Sequence, residues 1–205
     1  DIERAGLFRP VAEPRIIEIT DPEQLLGVVH NCGLTCVIVD LTLALAPKRP
    51  WEEYAAVFDD FDSALTFASD IAYDDGVHKR LVTVFEPGIV THLKQLPRIG
   101  AAVEGKALVL MELADADATV RARAAEYGGE ITLHNSHDRY HAGGMMLSDF
   151  TWNHTTLWAM KSDETLTYLQ DMFEPARVFE QHHARKARFG DSVLTHIEFM
   201  RFKGK

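Results

Sequence analysis

The richest run of chemistry-bearing side chains is "LHNSHDRYHAGGMMLSDFTWNHTTLWAMK", which holds His134, His137, Arg139, Tyr140, His141, Trp152, His154, Trp158 and Lys161. An arginine grips a carboxylate through two parallel hydrogen bonds, and a lysine supplies a compact point charge. A histidine can take a proton from a hydroxyl near neutral pH. So many convergent donors beside aromatic rings suit the wall of a pocket. The competing reading is a surface loop followed by a strand whose tryptophans fill a core. Two metal readings also arise. His134, His137 and His141, spaced by three and four, would share one face of a helix and suit zinc, but "SHDRYHAGG" reads as a loop with no helical start. His196 and Glu198, two apart on a closing strand, face the same side of a sheet and make a weaker ligand pair. No metal is expected.

Composition narrows the classes of partner. The chain of 205 residues carries 31 acidic and 21 basic side chains, for a net charge of -10. That balance repels phosphate backbones and anionic membranes unless basic residues cluster. The nearest cluster, "QHHARKARFG", reads instead as the basic last turns of a helix, favourable against its dipole, with His182 and His183 solvated. Neither nucleic acid nor a membrane is therefore expected as a partner. No apolar run approaches the ~20 residues of a bilayer span, and no leader-like segment opens the chain. Cys32 and Cys36 are too few and too close for a secreted disulfide framework, so a cytoplasmic setting is expected. A first residue of Asp rather than Met suggests a trimmed or processed fragment.

The elements that must position these residues fall on either side of a Pro47–Pro50 elbow, which divides the chain into 1–48 and 49–205. Residues 1–14 read as an irregular, proline-containing arm. "RIIEIT" reads as a short strand. Asp21-Pro22-Glu23 starts a helix running to about Asn31, and Gly33 precedes the β-branched strand "VIVDLTLALA". Beyond the elbow a strand-helix-strand pattern occurs twice: "EYAAVFDDF", "SALTFASDIAYDDG" and "KRLVTVFEP", then "KALVLMELA", "DADATVRARAAEYGG" and "EITLHN". Two such units bury their strand faces best against each other. The expected class is therefore α+β, a split β-α-β arrangement of ferredoxin-like type, with an antiparallel sheet and helices on one face. "GIVTHLKQL" is expected as a short helix between the units. "ETLTYLQDMFEPARVFEQHHARKARFG" is expected as a helix broken at Pro175, and "SVLTHIEFMRF" as a strong closing strand.

"CGLTCVIVDLTLALAPKRP", followed by an aromatic strand and "FDDFDSALTFA", resembles the junction between the flavin-binding domain and the cap domain of FAD-linked oxidases of the vanillyl-alcohol oxidase and glycolate oxidase-like group. Gly33 matches the first glycine of the pattern, Val37 to Val39 its strand, Asp40 its glutamate and Leu41-Thr42-Leu43 its end. Cys36 stands where the pattern has a second glycine. The resemblance implies that 1–48 is the tail of an FAD-binding domain, with Gly33, Val37 and Val39 on the cofactor side, and that 49–205 is the substrate-binding cap. It implies oxidation of an alcohol or 2-hydroxy acid by hydride transfer to FAD, with His154 as the base. Arg139, Tyr140, Trp152 and Lys161 would bind the small-molecule substrate. The glycine-rich loop that would cradle a pyrophosphate has no counterpart here. The chain would therefore need a separate FAD-binding domain or subunit and be inactive alone. The alternative is a stand-alone ferredoxin-like binding or regulatory module without catalysis. In either case the strand "VIVDLTLALA", left without its sheet, could pair two copies into a homodimer.

Overall fold

The structure, a computed structural model, describes residues 15–29, 31, 33–94, 96, 103–139 and 144–200 in full, and the backbone of 2–9 and 140–141. The chain divides into two compact units, Asp1–Lys48 and Arg49–Lys205.

The first unit is a three-stranded antiparallel sheet in the order β2 (Arg15–Ile19), β1 (Ile2–Arg9), β3 (Val37–Leu43). The expected irregular arm is thus largely a strand. Pro10 and Pro14 follow β1 rather than interrupt it, so nothing in the strand lacks a ladder donor. A one-turn helix α1 (Pro22–Leu26) starts where Asp21 accepts a 2.9 Å hydrogen bond from the Gln24 amide. It ends at Gly27, short of the expected Asn31, and continues only as turns through Val29. The core of this unit is small, with Leu25, Val28 and Cys36 buried. Every residue of β3 is exposed, including Val37, Ile38, Val39, Leu41 and Leu43.

The second unit is α+β. Its five-stranded sheet runs β7 (Glu130–Asn135), β4 (Trp51–Phe58), β6 (Ala107–Ala114), β5 (His78–Phe85), β8 (His196–Glu198), with every neighbouring pair antiparallel. Helix α2 (Phe61–Tyr73) joins β4 to β5, and α4 (Asp117–Glu126) joins β6 to β7. The two β-α-β units interleave, since β6 lies between β4 and β5 while β4 lies between β6 and β7. The physical reason is visible in the strands. All eight residues of β6 are buried, so it needs cover on both faces and a partner on both edges.

One face of the sheet carries Tyr54, Phe58, Val84, Val109 and Met111 and is packed by α2 and α4 through Leu65, Phe67, Ile71 and Val120. Helix α2 fits because its apolar residues recur with helical spacing and because Asp60 caps it, accepting from the Ser63 amide at 2.8 Å. Arg123 of α4 ties the two helices together through Asp70 and Asp74 of the α2 end. The opposite face carries Ala55, Val57, Phe85, Leu108 and Leu110, covered by Ile89, Val90, Leu93, Leu147 and Phe150.

The later segments differ from expectation. Between the two units the helix α3 spans Pro87–Val90 alone and continues as turns. A one-turn helix α5 (His137–His141) stands where a loop was expected. The region carrying Trp158 is a helix, α6 (Asn153–Ser162), and not a strand. It stops where Asp163 turns its side chain back on the Thr165 amide, at 2.9 Å. Residues 166–174 then run without regular structure, and helix α7 (Val178–Phe189) begins only after Pro175. The closing strand β8 has three residues. Among the described residues no helix is long and apolar enough to cross a membrane.

At the turn from α4 into β7 the chain passes against the Phe58 ring so closely that a Cβ at Gly129 would collide with it. Phe58 is itself buried in the core. Gly129→Ala should therefore destabilise the second unit by about 1–3 kcal/mol, read as a lower urea midpoint with an unchanged slope.

Candidate functional site

The second sheet face carries three carboxylates among its apolar residues. Glu53 of β4 and Glu112 of β6 are each 2% exposed, and Glu198 of β8 is largely buried. Strand alternation puts them on the side of Ala55, Leu110 and Phe85, under the segment that follows α5. Each is held by that segment. Glu53 Oε1 accepts from the Leu147 amide at 2.6 Å, and its Oε2 accepts from the Asn135 side chain at 2.8 Å. Glu112 accepts from the Ser148 hydroxyl and lies 3.5 Å from Arg80 Nε. Glu198 accepts from the Trp152 amide on one oxygen and from the Thr83 hydroxyl on the other.

Burial raises the pKa of Glu112, against the opposing pull of Arg80 and the Ser148 hydrogen bond. Burial likewise raises that of Glu198, opposed by Thr83 and the Trp152 amide. His196 stacks on Phe85 with ring centres 5.8 Å apart and lies 3.8 Å from Glu198. Its pKa is lowered by burial, partly offset by a hydrogen bond with the Trp152 backbone.

These bonds fix the entry to α6. After the 3-10 turn Leu147–Phe150, Trp152 sits at φ 56°, ψ −143°, a left-handed conformation that costs a non-glycine residue about 1–3 kcal/mol. Its amide is the one held by Glu198. The Thr155 hydroxyl donates to the Phe150 carbonyl at 2.6 Å and closes the first turn. The Trp158 indole N–H donates to the Asp149 carbonyl at 2.7 Å, and its ring stacks on Phe150 at 5.7 Å. The Lys161 ammonium lies 4.8 Å from the centre of the Trp158 ring. Along α6 opens a groove of about 600 Å³ lined by Met145, His154, Leu157, Trp158, Met160 and Lys161, with carboxylates at Asp149 and Glu164. Asp149 is partly engaged, accepting from the Met146 amide at 2.9 Å.

His154 and Lys161 thus share one groove, with Trp152 at the turn two residues ahead of His154. Arg139 and Tyr140 lie on α5, which packs on β4 and β7; Arg139 does not line this groove, and the Tyr140 side chain lies outside the described residues. His134 stands on β7, stacked on Tyr54 at 4.5 Å and close to Glu52 and Asp117, so it shares no helix with His137 and His141. Among the described residues no group of three or more His, Cys, Asp or Glu is arranged to hold a metal ion.

In the first unit Gly33 turns at φ 77° with open space around it, and Val37 and Val39 are 55% and 49% exposed on β3. The segment offers no glycine-rich strand-to-helix turn for a pyrophosphate. Of the groove residues missed in the sequence, Leu157 was signalled by the spacing of His154, Leu157, Trp158 and Lys161, which is that of one helix face; Met160 falls outside that spacing. No protein-family model matches the chain, and no curated protein matches it in sequence.

Two substitutions separate hydrogen bonding from charge at Glu198. Glu198→Ala leaves the Trp152 amide and Thr83 hydroxyl without their acceptor and should cost about 1–3 kcal/mol. Glu198→Gln keeps an acceptor and removes the buried charge. A carboxyl whose folded pKa is raised takes up its proton more readily in the folded state, so the native protein gains stability as pH falls from above that raised value towards the ordinary carboxyl range. The stability of Glu198→Gln relative to the native protein should therefore be greatest in alkaline buffer and shrink on acidification. Urea unfolding of both proteins at several pH values checks this.

Proposed function

We propose that this chain is the cap, or substrate-binding, portion of an FAD-linked oxidoreductase of the vanillyl-alcohol oxidase and glycolate oxidase-like group, acting on the CH–OH group of an alcohol or hydroxy acid once joined to an FAD-binding body. The observation that carries this reading is the state of β3. Five large apolar side chains, Val37, Ile38, Val39, Leu41 and Leu43, stand in solvent on both faces of one strand. That pattern belongs to a strand inside a sheet covered on both sides, as in an α/β cofactor domain. The split β-α-β order β7-β4-β6-β5 agrees with a ferredoxin-like cap.

In this reading Gly33, Val37 and Val39 belong to the flavin side, and the pyrophosphate is held by the FAD-binding body that the chain joins. Bound flavin supplies the two-electron acceptor for the hydride. The chain's own residues do the rest. His154, exposed at the first turn of α6, takes the hydroxyl proton. Lys161 receives the anionic group of the substrate, and Trp158 with Leu157 and Met160 excludes water from its apolar part.

A second reading follows from the edge of β3, which among the described strands pairs with β1 alone. An open apolar edge can recruit another strand, so a binding module that dimerises through β3 is the competing function.

Co-expression with a glycine-rich flavin-binding domain from the same or an adjacent reading frame separates the two. The first reading predicts a yellow complex whose flavin is bleached by substrate, and roughly 10²-fold slower bleaching in His154→Ala. A colourless complex, or a homodimer that excludes the flavin domain, overturns it.

A further inference from the structure

Glu112 of β6 stands directly opposite Glu53 of β4, and each is 2% exposed. Like charges facing each other across two strands repel, and a buried setting strengthens the repulsion. The two carboxyls are not equally served. Both oxygens of Glu53 accept hydrogen bonds. Glu112 takes only the Ser148 hydroxyl and lies 3.5 Å from Arg80 Nε, while its Oε1 is buried without a hydrogen bond. The charged groups that face it are Glu53 from β4, Asp149 from the turn above it and Arg80 from β5. Helix α3, which also packs on β6, brings no charged side chain. One half-exposed cation is thus set against two anions.

The cover over this pair is the 3-10 turn Leu147–Phe150, seated by its two buried side chains Leu147 and Phe150 and by its donors to Glu53 and Glu112. We propose that Glu112 is a proton-operated latch: with its carboxyl protonated the turn is seated on the sheet, and loss of that proton lifts the turn and frees α6. The turn yields before the strands do, because β4 and β6 pair over eight residues and their other face is packed by α2 and α4. Lifting the turn carries α6 with it, since the Trp158 indole donates to the Asp149 carbonyl and its ring stacks on Phe150. Asp149 and Trp158 both line the groove, so the groove changes shape with the latch.

The direction follows from linkage. Burial raises the Glu112 pKa while the turn is seated, and a lifted turn admits water and returns it towards the ordinary carboxyl range. The seat is therefore held most firmly below that ordinary range. It loses ground as pH climbs from there to the raised value, by up to about tenfold in the opening constant per pH unit for one proton. Glu198 acts in the same direction through the Trp152 amide, so the contribution of Glu112 is isolated as a ratio between two proteins. As a gate on the groove the latch rests on the substrate-binding role given to that groove above; the seating itself is read without flavin or substrate.

Amide exchange is followed by NMR from mildly acid to alkaline buffer in the native chain, Glu112→Gln and Arg80→Met, each rate taken relative to unstructured chain at the same pH. At Leu147 the opening constant of the native protein divided by that of Glu112→Gln should climb by up to about tenfold per pH unit, while Val109 of β6 stays protected. The Trp158 indole proton should follow Leu147. Arg80→Met, at a half-exposed position, removes the opposing cation and should open the turn further in alkaline buffer and not in acid. A ratio that does not change with pH, exchange of Val109 in step with Leu147, or an Arg80→Met protein whose opening follows the native pH profile overturns the latch. A colourless complex in the co-expression experiment overturns the oxidoreductase reading instead, and leaves these exchange results standing.

Discussion

Three carboxylates hidden on one face of an antiparallel sheet decide where α6 and its groove stand in the second unit. A buried charge is costly unless its oxygens are hydrogen-bonded. Glu53 and Glu198 meet that requirement on both oxygens, taking donors that include the Leu147 and Trp152 amides; Glu112 takes the Ser148 hydroxyl and lies against Arg80, while its Oε1 is left without a hydrogen bond. The sheet needs those donors, and the stretch, a single 3-10 turn seated on the sheet by Leu147 and Phe150, is oriented by them. Each side therefore constrains the other. Strand alternation puts the three acids on one face, and their separate strands spread the anchor points along the turn.

The constraint propagates outward by short steps. Glu198 holds the amide of a tryptophan in a left-handed conformation, and that residue sets the direction in which α6 leaves the sheet. The helix is fixed a second time by Trp158, whose indole is bonded to Asp149 and stacked on Phe150. With its inner side pinned, α6 presents His154, Leu157, Met160 and Lys161 outward along a groove. A loop in this place would let the imidazole and the ammonium move independently. A helix holds them two turns apart.

How much of this was legible in the sequence depends on whether a residue's neighbours along the chain decide its place. The apolar spacing from Phe61 to Ile71 specifies α2 locally, although its cap is Asp60 and not the Asp62 or Ser63 that the sequence suggests, and the run Ala107–Ala114, apolar but for Glu112, specifies a strand. The paired β-α-β pattern was legible for the same reason. The strand Ile2–Arg9 was not, because its hairpin with Arg15–Ile19 and its ladder with Val37–Leu43 are contacts made at a distance. The turn after Ser162 likewise depends on one aspartate folding back on Thr165, which a helical pattern through "DETLTYLQDMF" conceals. In the site, His154 and Lys161 stood out by type. The glutamates beneath them read only as polar interruptions in apolar strands, since the partners of Glu198 and Glu53 are 46 to 115 residues away.

Amide hydrogen exchange at Leu147 and Trp152 tests the carboxylate anchor most directly. If Glu53 and Glu198 hold these amides, both exchange far more slowly than the amides of Tyr168, Leu169 and Met172, and Glu198→Ala releases Trp152 while leaving Leu147 protected. Exchange at Leu147 and Trp152 as fast as in that exposed stretch would contradict the account.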